Sequence, residues 1–251
     1  MKYFIQLSYF GKNYCGWQIQ PDQASIQETL NEKINVALQE KVELVGSGRT
    51  DTGVHAKNYI AHFTCTTSIG NMQQFIFKLN TLLPKDIAIH NCWPVSEDAH
   101  ARFSAISRSY SYWLTQEKNP FLIDQAYYVK RKVDIKLMNL AAKELKNYRN
   151  FKAFSKVKTQ VYTYNCEIYY ANWKVLDNGV LEFNISANRF LRNMVRAIVG
   201  TLIEVGLKKI SISDFKKIIE SKERAKAGKS VPAEALCLNY IQYPKELMPH
   251  E

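Results

Sequence analysis

Two successive runs of elements in the order β-α-β-β-α-β predict an α+β protein. Three observations carry this expectation: period-two apolar alternation at the start of each half, apolar stripes at helical spacing between the strands, and capping or turn residues at the junctions. In the first half, residues 2–9 alternate as a strand. Ser25 and Glu28 carry a capping-box pattern that opens a helix through about Gln39, with Ile26, Leu30, Ile34 and Leu38 on one face. Residues 41–45 read as a short strand and 57–66 as another. A helix over about 71–83 aligns Phe75, Leu79 and Leu82 and stops at Pro84, and 86–95 closes the half as a strand.

The second half repeats the order. A strand over about 106–116 alternates Tyr110, Tyr112 and Leu114, and Asp134 caps a helix through about Tyr148. Strands at about 163–176 and 179–187 meet near Asp177-Asn178-Gly179. A long helix of roughly 190–206, a short one near 213–222 and a strand at about 236–243 complete it. This is the element order of the ferredoxin-like split βαβ unit. The predicted architecture is two ferredoxin-like lobes, residues 1–104 and 105–251, with mainly antiparallel sheets joined around a central cleft. The repeat is one of element order, without residue-level identity between the halves. Lys222 to Lys229, rich in Lys, Arg and Gly, reads as a mobile basic loop.

Composition narrows the function. The 251 residues suffice for a full core, as one large domain or two small ones. Lys+Arg 34 against Asp+Glu 23 gives a net charge of +11, a field suited to a polyanion such as nucleic acid. No helix pairs a Lys/Arg face with a bulky apolar one, and no apolar run approaches membrane-spanning length, so a soluble protein is expected. The N-terminus alternates like a strand and lacks a signal-peptide core. Five scattered cysteines, Cys15, Cys65, Cys92, Cys166 and Cys237, without a CxxC pair, predict reduced thiols in the cytoplasm rather than disulfides or a zinc cluster.

The stretch from Gly46 to Ala56 concentrates the chemistry. It places one carboxylate, Asp51, in a glycine-rich turn beside Arg49, Thr50 and Thr52, between two predicted strands. A turn can use Gly and Asp for conformation alone, so the neighbouring segments decide. Arg189, Arg192 and Arg196 are spaced to share one face near the start of the long helix, where an anion is favoured. Tyr14, Trp17, Phe103, Tyr110, Tyr112 and Phe190 interleave with basic residues, a pattern that stacks unpaired bases while holding phosphates, although Tyr112 and Phe103 read better as core. His55 and His62, seven apart on a predicted strand, fall on opposite faces and read as core or surface residues rather than metal ligands.

GRTDTGVHA, HARFSA followed by RSYSY, NRFLRNMVRAIVG and PAEALCL occur in this order and resemble the four signature blocks of the TruA family of tRNA pseudouridine synthases. The resemblance spans nearly the whole chain. It implies a homodimer that isomerises uridine to pseudouridine in the anticodon stem-loop of tRNA, at positions 38 to 40, without a cofactor. By motif position it makes Asp51 the nucleophile, Tyr110 the tyrosine packed on the target base and Arg196 the arginine paired with the aspartate. Arg49 matches the arginine that helps displace the flipped base, and Leu236 an apolar residue lining the pocket. Arg102, Arg108, Arg189 and Arg192 join the expected RNA-binding set.

The chemistry accounts for these residue types. Breaking the bond from uracil N1 to ribose builds positive character on the sugar, which an ionised carboxylate stabilises. Desolvation favours the protonated carboxyl, and an opposed arginine counters it. The freed uracil must rotate and rebond through C5 without escaping, which suits an aromatic lid and an apolar wall. The C5 proton then leaves to the Tyr110 hydroxyl or to water. Flipping the base costs a few kcal/mol, which Arg and Lys contacts to phosphate offset.

Several positions depart from the family pattern. Tyr9-Phe10-Gly11-Lys12 stands where Tyr-Asp-Gly-Thr is usual, Ala235 replaces a glycine, and Ser47 and Thr52 replace alanines. None removes a catalytic group; Phe10 and Lys12 bear on substrate contacts. Other classes fit less well. Asp51-Thr52-Gly53 is also the tripeptide of aspartic proteases, but Arg49-Thr50 stands where an apolar strand is needed. Gly46, Gly48 and Gly53 miss the spacings of phosphate loops. A non-catalytic RNA-binding protein on the same fold predicts tRNA binding indifferent to Asp51.

Overall fold

The computed structural model describes residues 1–157 and 161–249. Among them are nine strands and five α-helices, a mixed α/β arrangement with a mainly antiparallel sheet. No helix among the described residues is long and apolar enough to cross a membrane. The chain divides into two compact units, Met1–Ile106 with Leu238–Glu251, and Ser107–Cys237.

The first unit runs β1 (Lys2–Tyr9), α1 (Ile26–Leu38), β2 (Val45–Gly46), β3 (His55–Thr64), α2 (Met72–Leu82) and β4 (Ile87–Val95). β1 is central and antiparallel to both neighbours, with Phe4 opposite His62 of β3 and Trp93 of β4. Tyr3, Ile5, Leu7 and Tyr9 bury one face of β1, while Phe4 on the other meets the rings of Trp93 at 6.0 Å and Tyr243 at 5.3 Å. Ser25 Oγ accepts from Glu28 N at 3.2 Å and starts α1, whose Leu30 and Ile34 are fully buried, each contributing about 1.5–3 kcal/mol. Asn71 Oδ1 caps α2 in the same way, accepting from Gln74 N at 2.9 Å.

The expected strand over 41–45 shrinks to β2 for a specific reason. Val42 and Leu44 are buried, but their backbone groups bond to the side of α1 instead of to a strand. Val42 N donates to Asn35 Oδ1 at 2.8 Å, Leu44 N to Asn31 Oδ1 at 2.9 Å, and Gln27 Nε2 donates to Leu44 O at 2.8 Å. The helix amides thus satisfy buried main-chain groups that a ladder would otherwise serve. Asn80 of α2 does the same on β4, with bonds of 2.8 and 2.9 Å to Ile89 N and O.

The second unit contains β5 (Ser107–Thr115), β6 (Tyr127–Tyr128), α3 (Ile135–Glu144), β7 (Ile168–Val175), β8 (Leu181–Ala187), α4 (Met194–Gly206) and α5 (Ile212–Ser221). β9 (Leu236–Gln242) then returns the chain to the first unit, where it neighbours β3. β8 lies antiparallel between β5 and β7, and β6 adds to β5 in parallel, with Leu114 opposite Tyr127. α4 is buried on nearly every side, as its apolar composition requires. Asn139 of α3 clamps edge strand β7, donating to Trp173 O at 3.0 Å and accepting from Trp173 N at 2.7 Å.

Further boundaries differ from expectation: β7 begins at Ile168 rather than near 163, and β3 runs two residues earlier than the expected 57–66. α3 stops at Glu144 and a 3-10 turn, Leu145–Asn147, carries it to Tyr148. α5 begins one residue earlier than predicted because Ser211 and Asp214 form a complete capping box. The long helix begins at Met194 rather than near 190, because Asn193 adopts a left-handed conformation with φ 66°. The Lys222–Lys229 segment, expected to be mobile, contains a 3-10 turn at Arg224–Lys226 and is tied to α4 by Gly228 N donating to Thr201 Oγ1 at 3.0 Å.

Two outcomes are expected in solution. Asn139→Ala removes both partners of the Trp173 main chain, so urea unfolding should show a loss of about 2–3 kcal/mol; an unchanged midpoint would exclude the clamp. His62 is buried, and its Nδ1 accepts from Ala101 N at 3.2 Å, so a proton there would face a second donor. Burial first, then the charges of His100 and Lys2, lowers its pKa to about 4 from 6.5. The unfolded chain therefore binds more protons between these values, and stability should fall as pH drops from about 6.5 towards 4. Replacing His62 with Gln, whose oxygen can still accept from Ala101, should flatten that part of the pH profile; an unaltered slope would show that His62 does not cause it.

Candidate active-site residues

The Asp51 turn lies in the first unit, between β2 and β3, and is shaped by the loop that follows β1. Gly16 has φ 102°, and a Cβ there would lie 2.2 Å from Thr50 O and 3.0 Å from the Asp51 carbonyl carbon. A Cβ on Gly11 would lie 2.0 Å from Val54 O. Only glycine permits main chain to press on main chain in this way. The contact is cross-linked: Trp17 N donates to Thr50 O at 3.4 Å, Gly53 N to Tyr14 O at 3.3 Å, and Thr52 Oγ1 to Cys15 O at 3.1 Å. Within the turn, Val54 N donates to Asp51 O at 3.1 Å. The Asp51 side chain is left half-buried in a turn whose main chain is held from beneath.

Aromatic residues complete the support. Tyr59 of β3 hydrogen-bonds both the N–H and the carbonyl of Gly48, and its ring stacks on Trp17 with centroids 4.2 Å apart. The Tyr9 hydroxyl shares a 2.9 Å hydrogen bond with Thr50 Oγ1. His55 Nδ1 accepts from Gly11 N at 2.9 Å, and Phe10 stacks on the His55 ring at 4.1 Å. Phe10, one of the departures from the family pattern, is therefore part of the support beneath the turn. Arg49 is exposed at the rim, with Nε donating to Gln18 Oε1 at 3.1 Å. Tyr9, Tyr59 and Gln18 were not distinguishable in the sequence, where the two tyrosines look like any strand aromatics.

Arg102 and Phe103 also lie in the first unit. Phe103 is 75% exposed, which overturns its expected place in the core. The Arg102 guanidinium lies 5.4 Å over its ring, and the main-chain N–H groups of both residues are turned towards His100 Nδ1 at 3.1 and 3.4 Å. Tyr14 and Trp17, expected among base-stacking aromatics, are 7% and 2% exposed and serve the loop that supports Asp51.

The remaining candidates lie in the second unit. Arg108 and Tyr110 are on β5; Arg108 Nη1 donates to Asn188 O at 3.0 Å, and Tyr110 meets Phe190 edge to face at 5.3 Å. Tyr112 is buried as expected, its hydroxyl donating to Pro232 O at 3.0 Å. Arg189 and Arg192 do not share a helical face with Arg196, because they precede the first turn of α4. Arg192 is exposed and its carbonyl accepts from Lys156 N at 3.0 Å. Arg189 adjoins Cys166, whose thiol burial pushes up to about 11 while the guanidinium opposes the shift. Arg196, on α4, donates from Nε to Val231 O at 2.8 Å. Leu236 is buried at the start of β9.

Comparison with known proteins agrees with these motifs. A family model described as tRNA pseudouridine synthase matches residues 6–104 and 141–244. The chain is 48% identical to tRNA pseudouridine synthase A of Parabacteroides distasonis, across 100% of this chain and 99% of that protein. It is 49% identical to the protein of that name from Porphyromonas gingivalis, across 98% of each. For the Clostridium acetobutylicum protein the identity is 40%, across 95% of this chain and 98% of that one. With this family model matching most of its length and such relatives matching nearly all of it, the chain belongs to the tRNA pseudouridine synthase family.

Proposed function

We propose that the protein isomerises uridine to pseudouridine in the anticodon stem-loop of tRNA, at positions 38 to 40, with Asp51 as nucleophile. The observation that carries this reading is the Asp51 turn: a half-buried carboxylate on main chain held by glycine contacts, in a chain of this family. A fixed carboxylate suits a reaction in which charge develops on the ribose as its bond to N1 breaks. Tyr110 packs on the uracil while it turns to present C5, and Leu236 lines the pocket. Arg196 supplies the positive charge that keeps the carboxylate ionised. The Asp51 carboxylate bonds ribose C1′ as the bond to N1 breaks; C5 then bonds to C1′, the ester bond to Asp51 breaks and frees the carboxylate, and C5 gives up its proton to the Tyr110 hydroxyl or to water.

Arg49 helps displace the flipped base, and Arg102, Arg108, Arg189 and Arg192 hold the RNA backbone. The net charge of +11 supports binding to a polyanion. The finer reading of the fold, two ferredoxin-like lobes expected over 1–104 and 105–251, is supported in the first unit by strand order β4-β1-β3 with β2 on β3, while residues 238–251 group with the first unit rather than the second. A homodimer acting in the cytoplasm without a cofactor completes the proposal.

The test is release of tritium from unmodified tRNA labelled at uridine C5. Wild type should release it, and Asp51→Ala should lower release by at least about 10⁴-fold while tRNA binding stays within about threefold. Binding without release by wild type, across a complete unmodified tRNA pool, would overturn the enzymatic reading in favour of an RNA-binding module.

A further inference from the structure

Arg224 has no part in the proposed chemistry, yet its side chain ties together the segment that holds Arg196. Its Nη1 donates to Ala227 O at 3.3 Å and Gly228 O at 3.1 Å, and its Nη2 to Ser230 Oγ at 2.8 Å. A planar fork can reach three oxygens at once, which a lysine cannot do with the same geometry. Burial draws the guanidinium below its ordinary pKa, a cost that a merely solvated arginine would not bear.

From Ser230 the network reaches the first turn of α4 twice. Asn193 Nδ2 donates to the same Ser230 Oγ, anchoring the residue whose left-handed conformation starts the helix. One residue on, Val231 exchanges two bonds with Arg196: its carbonyl accepts from Arg196 Nε at 2.8 Å, and its N–H donates to Arg196 O at 3.3 Å. Farther along the helix, Thr201 Oγ1 accepts from Gly228 N while donating to Ala197 O at 2.8 Å. Residues 228–231 are thus fixed to α4 on either side of Arg196, and Arg224 sets the curvature of that segment. The Val231 carbonyl receives Arg196 Nε, so its position decides where the rest of the guanidinium points.

We infer that Arg224 is a positioning residue of the isomerase, aiming Arg196 through Ser230 and Val231. The inference rests on the role proposed for Arg196. Displacing that guanidinium by a fraction of an ångström should weaken the chemical step and leave tRNA binding nearly intact, since the three hydrogen bonds of Arg224 named above are all spent on its own segment.

A double-mutant cycle on the full-length protein tests this. Single-turnover rate and KM for unmodified tRNA would be measured for Arg224→Gln, Arg196→Lys and the pair, with Ser230→Ala as a second cut in the network should Arg224→Gln fail to fold. Arg224→Gln, or Ser230→Ala in its place, should lower the single-turnover rate about ten- to a hundredfold with KM within about threefold, and Arg224→Lys should recover part of the loss. In the Arg196→Lys background the same change should cost less than about threefold further. Fully multiplicative losses would show that Arg224 acts independently of Arg196 and would overturn the inference alone. A wild-type rate for Arg196→Lys would overturn both the role of Arg196 and the inference built on it.

Discussion

The approach of the Gly11–Gly16 loop to the main chain of Thr50–Val54 is the contact on which the Asp51 turn depends. Side-chain packing tolerates small displacements, but backbone in contact with backbone does not. With a carbonyl 2.2 Å from where a Gly16 Cβ would stand, the two segments have one relative placement. The hydrogen bonds from Trp17, Gly53 and Thr52 lock it along the length of the turn. Tyr59, stacked on Trp17 and bonded to Gly48, extends the lock to the start of the turn. A carboxylate that must meet one atom of a ribose benefits from such rigidity, because reorganisation during the reaction is avoided.

The same economy recurs where helices meet strands. Side-chain amides of Asn31, Asn35, Asn80 and Asn139 bond main-chain groups of neighbouring segments that lack a strand partner. Each provides both specificity of register and satisfaction of a buried polar group. At the start of α4 a hydroxyl, Ser230 Oγ, plays the corresponding part by receiving Asn193 and Arg224. Candidate site residues in both units are therefore held by short polar links to main chain rather than by apolar packing alone.

Most of the fold was legible because it rests on periodicity and caps. The stripe Ile26, Leu30, Ile34 and the caps Ser25 and Asp134 each act within a few residues, and the helices they predict are present. What could not be read depends on contacts distant in sequence. Residues 41–45 read as a strand, but the main-chain partners of Val42 and Leu44 are amides on α1, so no strand forms at those two residues. The arginines Arg189, Arg192 and Arg196 have helical spacing, yet one residue in left-handed conformation, Asn193, removes two of them from the helix. Phe103 looked like core because aromatic residues usually are, whereas a local turn around His100 leaves it exposed. The Asp51 turn was legible from its glycines, while the opposing glycine, Gly16, acquires meaning only through a contact 35 residues away in sequence.

The most direct test of this account is the turnover of Gly16→Ala on unmodified tRNA, set beside its tRNA affinity and with Gly70→Ala as control. An added Cβ at Gly70 meets nothing within 4 Å, so the control should behave as wild type. Gly16→Ala should bind tRNA within about threefold of wild type, retain its far-ultraviolet circular dichroism, and turn over about a hundredfold more slowly. Wild-type turnover by Gly16→Ala would contradict the claim that this backbone contact positions Asp51.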